Sequence, residues 1–193
     1  MVPLLLETIR IEEGKPLHLS YHQARFERTL RHFGITSHTT LSSVIVPPDA
    51  TATYRCRILY DTRIRSVEYL PYMPRPMHRF KLVEADVDYN FKYADRSTFD
   101  ELRQRFIGYD DLILVRNGMI TDTTIANLAF FDGKRWLTPT QPLLSGTTRA
   151  RLIDRGEIEP EPVTVDALSS FRGMALMNAM VGFKVIDPIT IDR

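Results

Sequence analysis

Residues 112–136 read LILVRNGMITDTTIANLAFFDGKRW, and this stretch decides the fold class. Leu112-Ile-Leu-Val115 is a short apolar run, Asn117-Gly118 is the dipeptide that favours a two-residue hairpin turn, and Met119-Ile-Thr121 brings the chain back. A second run, Asn127 to Phe131, faces Arg135 to Leu137 across Asp132-Gly133. Two consecutive hairpins point to antiparallel or mixed sheets.

Working outward, Phe80 to Val87 reads as a strand, with Lys92 just beyond it, and Ser97 opens a helix of about 98–107. On the other side, a helix over about 147–155 starts directly after Gly146, followed by strand, short helix (165–171) and strand. Toward the N-terminus, Leu4 to Ile11 is a strand ended by the turn Glu12-Glu13-Gly14-Lys15. Ser20 and Gln23 have the spacing of a capping box, Phe26, Leu30 and Phe33 continue an apolar stripe, and Gly34 stops the helix. Residues 35–50, rich in Ser and Thr and closing on Pro47-Pro48, suit a loop or short helix. Strands at about 52–60 and 65–70 form a hairpin around Asp61-Thr62-Arg63. Three prolines in Pro71-Tyr-Met-Pro-Arg-Pro76 make a stiff linker. The expectation is an α+β protein with a small N-terminal α/β domain, 1–73, and a larger C-terminal domain, 74–193.

Composition narrows the function classes. With 193 residues, 44% hydrophobic and 25% charged, the chain can bury a core. A net charge of +1 gives no global field for nucleic acid or acidic membranes. One cysteine, Cys56, leaves no disulfide framework and fits a reducing compartment. No run approaches the roughly 20 apolar residues of a membrane span, and the short apolar start at Met1 does not make a signal peptide. A cytoplasmic protein is expected. Only five lysines accompany twenty arginines, a bias compatible with small anionic ligands or with genome composition.

Several segments can carry chemistry. In Leu143-Leu-Ser-Gly146-Thr147-Thr148-Arg149, a glycine that admits close backbone approach precedes a helix N-terminus and two hydroxyls. That suits a phosphate cradle, although Ser145 or Thr147 could instead only cap the helix. Lys92 lies among Tyr89, Phe91 and Tyr93, where desolvation can turn an amine into a nucleophile, or where its stem can simply snorkel. Asp122 could cap a turn or hold a protonated heterocyclic nitrogen. Arg55 and Arg57 share one strand face and could meet a substrate carboxylate or the solvent. The five histidines show no metal-ligand spacing, so no metal is expected.

Together these segments resemble the class IV aminotransferase family, which includes branched-chain aminotransferases, D-amino acid aminotransferases and aminodeoxychorismate lyases. Glu7-Thr-Ile-Arg10 is followed by His22-Gln-Ala-Arg25-Phe26, similar to the family's His-x-x-Arg-hydrophobic motif, whose arginine binds cofactor phosphate. The resemblance gives that role to Arg25. Lys92-Tyr-Ala-Asp-Arg96 looks like the segment in which the cofactor lysine is followed four residues later by arginine. Asp122 and Asn127 match an acid that precedes asparagine by five residues, on the way to a Phe-x-Asp-Gly hairpin. Thr138-Pro139 and Leu144-Ser-Gly-Thr-Thr-Arg149 resemble the Thr-Pro and Leu-x-Gly-x-Thr-Arg signatures, which assigns the phosphate cup to Gly146, Thr147 and Thr148.

The resemblance implies a two-domain D-amino acid aminotransferase-like fold, pyridoxal 5′-phosphate on Lys92, a small-molecule amine substrate and a homodimer. Lys92 would also move the substrate's α-proton. Two departures stand out: aspartate replaces the usual glutamate at position 122, so the ring must sit closer or a water must bridge, and the N-terminal domain is abbreviated. The second favours an aminodeoxychorismate lyase-like reaction, giving 4-aminobenzoate and pyruvate. The alternatives are an aminotransferase acting on a small amino acid and a non-catalytic member of the fold.

Overall fold

The computed structural model describes residues 2–48 and 51–193. The chain forms two compact units, Met1–Pro74 with Phe91–Asp95, and Arg75–Asn90 with Arg96–Arg193. Residues 91–95, which a single cut after residue 73 leaves in the second domain, therefore join the first unit. Backbone pairing is the reason: Leu6 N donates to Lys92 O at 2.9 Å, Ala94 N donates to Leu4 O at 2.9 Å, and Tyr93 bridges Leu5.

The first unit contains β1 (Leu5–Glu12), β2 (Lys15–Pro16), α1 (Leu19–His32), α2 (Leu41–Val44), β3 (Tyr54–Tyr60) and β4 (Ile64–Pro71). The strands make an antiparallel sheet in the order β2-β1-β3-β4. Period-two alternation sends Leu5, Ile9 and Ile11 of β1 and Cys56, Ile58 and Tyr60 of β3 into a core shared with Phe26 and Leu30 of α1. The expected capping box does not form. The helix begins at Leu19 with His18 as N-cap and no side-chain cap, which puts Gln23 too far along the helix to reach back. Gln23 Oε1 instead accepts from Leu41 N at 2.7 Å and so ties down the entry to α2.

The second unit contains β5 (Arg79–Glu84), α3 (Ser97–Arg105), β6 (Asp111–Arg116), β7 (Met119–Thr123), β8 (Asn127–Phe131), β9 (Trp136–Pro139), α4 (Thr147–Asp154), β10 (Glu159–Glu161), a 3-10 turn (Asp166–Ser170), β11 (Gly173–Asn178), β12 (Gly182–Ile186) and β13 (Thr190–Asp192). Its nine-stranded sheet is mixed: β5 runs parallel to β6 and β13, β9 parallel to β10, and the hairpins are antiparallel. The α+β class with mixed sheets is thus as the sequence implies. β5 stops at Glu84 rather than Val87 because its partner β6 turns away at Asn117-Gly118; the last ladder bond is Ala85 N to Val115 O at 2.9 Å. Along β8, Leu128 and Phe130 enter one apolar cluster while Ala129 enters another, beneath Leu152 of α4. β8 pairs with β11 along its length and, on its other edge, with β7 at Asn127 and β9 at Phe130 and Phe131. That central strand fixes where α4 begins.

Candidate functional site

In the second unit, β7 and β8 place Asp122 directly opposite Asn127, and both are nearly inaccessible to solvent. Asn127 Nδ2 donates to Asp122 Oδ1 at 2.8 Å and to Leu144 O at 2.8 Å. Leu144 N donates to Asp122 Oδ2 at 2.9 Å. One acid and one amide thereby clamp both backbone polar groups of Leu144, two residues before Gly146.

Gly146 is required by packing, not by backbone conformation. Its φ of −71° suits any residue, but a Cβ there would lie 1.9 Å from Asn127 Oδ1. Gly146 is the N-cap of α4 and no side chain caps the helix, so the N–H groups of its first turn lack intrahelical acceptors and face outward with the positive dipole end. Thr147 and Thr148 are buried in that turn. Capping by Ser145 or Thr147, the alternative reading of this segment, is not what the side chains do. Arg149 faces away from the turn: its Nη2 donates to Pro139 O at 2.8 Å and its Nε to Thr138 Oγ1 at 3.2 Å, which ties the Thr-Pro signature to α4. Burial pushes the Asp122 carboxyl up to about 7, against the hydrogen bonds from Asn127 and Leu144.

One residue of this region escaped the sequence reading. Arg151 shares the buried face of α4 with Thr147 and Thr148 and is nine-tenths buried, and its Nε has no partner among the described residues. A helical side chain lies over the turn preceding its own Cα, here the Thr147–Thr148 turn. The spacing of three and four residues was the available signal. Open helix donors, two buried hydroxyls and a buried guanidinium on the same helix face fit a phosphate group in chemistry.

In the first unit, Arg25 does not stand alone. Its Nε and Nη2 donate to Glu7 Oε1 and Oε2 at 2.8 and 2.7 Å, and His22 Nδ1 lies 2.7 Å from Glu7 Oε2. Burial by itself would raise the Glu7 carboxyl, but the charge and hydrogen bonds of Arg25, with those of His22, hold it down at about 2. His22 is held below its ordinary value by burial and by the charges of Arg25 and Lys92, against the pull of Glu7. Lys92 is half-buried, on the segment whose backbone is pinned to β1. Phe91 beside it stacks on His32, with ring centroids 4.3 Å apart.

The structure therefore assembles Asp122, Asn127, Gly146, Thr147 and Thr148 within the second unit, and it places Arg25 and Lys92 in the first. Arg55 and Arg57 lie on the sheet face away from α1; Arg55 is exposed and Arg57 meets Glu68 at 3.4 Å. Among the described residues no cluster of His, Cys, Asp or Glu could hold a metal ion, and no helix is long and apolar enough to cross a membrane.

These features, a two-unit α+β fold with a lysine-bearing segment and a Gly-Thr-Thr-Arg helix start, define an amino-transferase class IV architecture. The chain belongs to that family of pyridoxal-phosphate enzymes: the profile described as amino-transferase class IV matches residues 90–187. An uncharacterized protein of Haemophilus influenzae is 34% identical over 184 residues, covering 92% of this chain and 98% of that protein. Among crystal structures, a Haemophilus somnus protein provisionally described as a 4-amino-4-deoxychorismate lyase matches with a TM-score of 0.86 and 32% identity, over 93% of this chain and 97% of its own. The pyridoxal-phosphate-bound form of a hypothetical aminotransferase from Mycobacterium tuberculosis shares the fold, with a TM-score of 0.79 and 17% identity over 98% of this chain and 81% of its own.

Proposed function

We propose that the chain is a pyridoxal 5′-phosphate enzyme acting at a substrate amino group, with an aminodeoxychorismate lyase-like reaction that releases 4-aminobenzoate and pyruvate. The observation that carries the cofactor assignment is the start of α4, where no side chain caps the helix and the hydroxyls of Thr147 and Thr148 are buried in the first turn, an arrangement suited to an anion. The lyase-like reading is supported by the full-length likeness to the Haemophilus somnus protein. The bound cofactor supplies an electron sink conjugated to the substrate's α-carbon.

The chain's own residues do the rest. By the family resemblance the amine of Lys92 would hold the cofactor and would be the base that moves the substrate's α-proton. The N–H groups and hydroxyls of Thr147 and Thr148 would bind the phosphate, and Gly146 lets Asn127 close on the turn before them. By the family resemblance Arg25, whose charge is paired with Glu7 through two of its nitrogens, would serve as a further hydrogen-bond donor to the phosphate. Asn127 fixes the turn that leads into the cup. By resemblance the enzyme works as a homodimer in the cytoplasm on a small-molecule amine. The family's name favours a second reading, transfer of the amino group to a keto acid.

Two measurements test this. Protein incubated with pyridoxal 5′-phosphate should turn yellow, and borohydride reduction followed by peptide mass spectrometry should find the cofactor's mass on Lys92. A colourless protein with unmodified Lys92 rejects the assignment and leaves a non-catalytic member of the fold. Aminodeoxychorismate should then yield 4-aminobenzoate without any keto-acid acceptor; strict dependence on the acceptor would instead establish the transaminase.

A further inference from the structure

The family resemblance assigns the acid at position 122 to the cofactor's ring nitrogen, and the geometry of its carboxylate gives it a second task. We infer that Asp122 and Asn127 are positioning residues for the anion cup: they lock the turn Leu144–Gly146 so that the first N–H groups of α4 converge on a phosphate. This rests on the cofactor reading above.

Each oxygen of Asp122 has a protein donor, Asn127 Nδ2 at 2.8 Å for Oδ1 and Leu144 N at 2.9 Å for Oδ2. Both hydrogens of the Asn127 amide are used in turn, on Asp122 and on Leu144 O at 2.8 Å. The amide is therefore held in one orientation, with its oxygen turned to the place where only a glycine fits. The result is a closed circuit, carboxylate to peptide N–H, peptide C=O to amide, amide to carboxylate, that grips one peptide just ahead of the helix start. A glutamate would carry its oxygens about 1.5 Å farther along the chain, one C–C bond, and would overshoot these partners. Aspartate at this position suits a short bond to the neighbouring turn.

The test uses a ligand that has no ring. Cofactor-free wild type, Asp122→Asn, Asp122→Glu and Asn127→Ala are titrated with inorganic phosphate, followed by phosphorus NMR line broadening, and separately with pyridoxal 5′-phosphate, followed by absorbance. Asp122→Asn sets an amide against two donors, and Asn127→Ala cuts the circuit while leaving the acid in place. Both should weaken phosphate binding about tenfold, the loss of one or two good hydrogen bonds, and cofactor binding at least as much. Asp122→Glu should also weaken both, although it restores the family's usual acid. Amides 144–148 should exchange faster with deuterium in each variant.

The inference fails if phosphate affinity in the variants stays within about twofold of wild type while cofactor binding or its absorption band changes, the signature of a ring contact. Should Asp122→Asn not fold, Asn127→Ala decides on its own. Wild type that binds neither ligand also overturns the lock. Wild type that binds phosphate, loses it in the variants and yet gives no reducible adduct on Lys92 supports the lock and sinks only the cofactor reading.

Discussion

Glu7 receives two hydrogen bonds from Arg25 and one contact from His22, all within 2.8 Å, and none of the three is appreciably exposed. Because Glu7 stays ionised, the proton of neutral His22 must sit on Nδ1 and point at the carboxylate. Taking a single charge out of water is costly, whereas a forked pair with satisfied oxygens is tolerated. Glu7→Gln therefore strands a buried guanidinium. It should lower the unfolding free energy by about 3–5 kcal/mol, measured by urea denaturation of the cofactor-free protein, and a loss below about 1 kcal/mol would show the pair to be incidental. The sequence displayed Glu7, His22 and Arg25 as parts of motifs and suggested phosphate binding for the arginine. The strand alternation Leu5-Glu7-Ile9 and the helix spacing of His22, Arg25 and Phe26 already put these polar groups on core faces. What a linear reading could not supply was that those two faces meet, since β1 and α1 are paired only by the packing of the unit.

At the scale of elements, the start of α4 is the sharpest case. Gly146→Ala places a methyl group 1.9 Å from Asn127 Oδ1, closer than any real contact. Asn127 can retreat only by giving up hydrogen bonds to Asp122 and Leu144. The substitution should cost about 1–3 kcal/mol of stability, as overpacking does, and weaken phosphate binding at the same time; a variant as stable and as tight as wild type would place this contact wrongly. The glycine was legible as a helix start, while its opposition to Asn127, nineteen residues earlier in the chain, was not. Local turn chemistry was read well. Asn117 and Gly118 both take positive φ, 52° and 72°, as the hairpin needs, and Asp132 Oδ1 accepts from Lys134 N and Arg135 N at 2.8 and 2.9 Å to close the next one. Helix capping was read less well, because the Ser20–Gln23 pattern is satisfied equally by a glutamine that bonds a distant loop.

For the whole molecule, hairpin signals in order were enough to indicate an α+β chain, but not the parallel pairings of β5 with β6 and β13, which join segments more than twenty residues apart and carry no local mark. The return of residues 91–95 to the first unit was hidden for the same reason: an edge pairing with β1 leaves little trace in five residues. The two units respond oppositely to acid. Glu7, in the first, titrates at about 2 against an ordinary 4.5, so its contribution is complete above pH 4.5 and is lost as pH falls toward 2. Asp122, in the second, titrates at about 7 against an ordinary 3.8. The folded state then holds a proton that the unfolded state has released, so this contribution is complete below pH 3.8 and is lost as pH rises through 7. Cofactor-free wild type compared with each variant separates the two. Between pH 4.5 and 7.5 the stability advantage of wild type over Asp122→Asn should shrink steadily as pH rises, because the amide has no proton to lose, whereas the advantage over Glu7→Gln should fall away below pH 4.5. Urea midpoints at half-unit pH steps measure both. Parallel wild-type and Asp122→Asn curves from pH 4.5 to 7.5 would mean that the buried acid is ionised throughout, and that its partners, all of them donors, outweigh its desolvation.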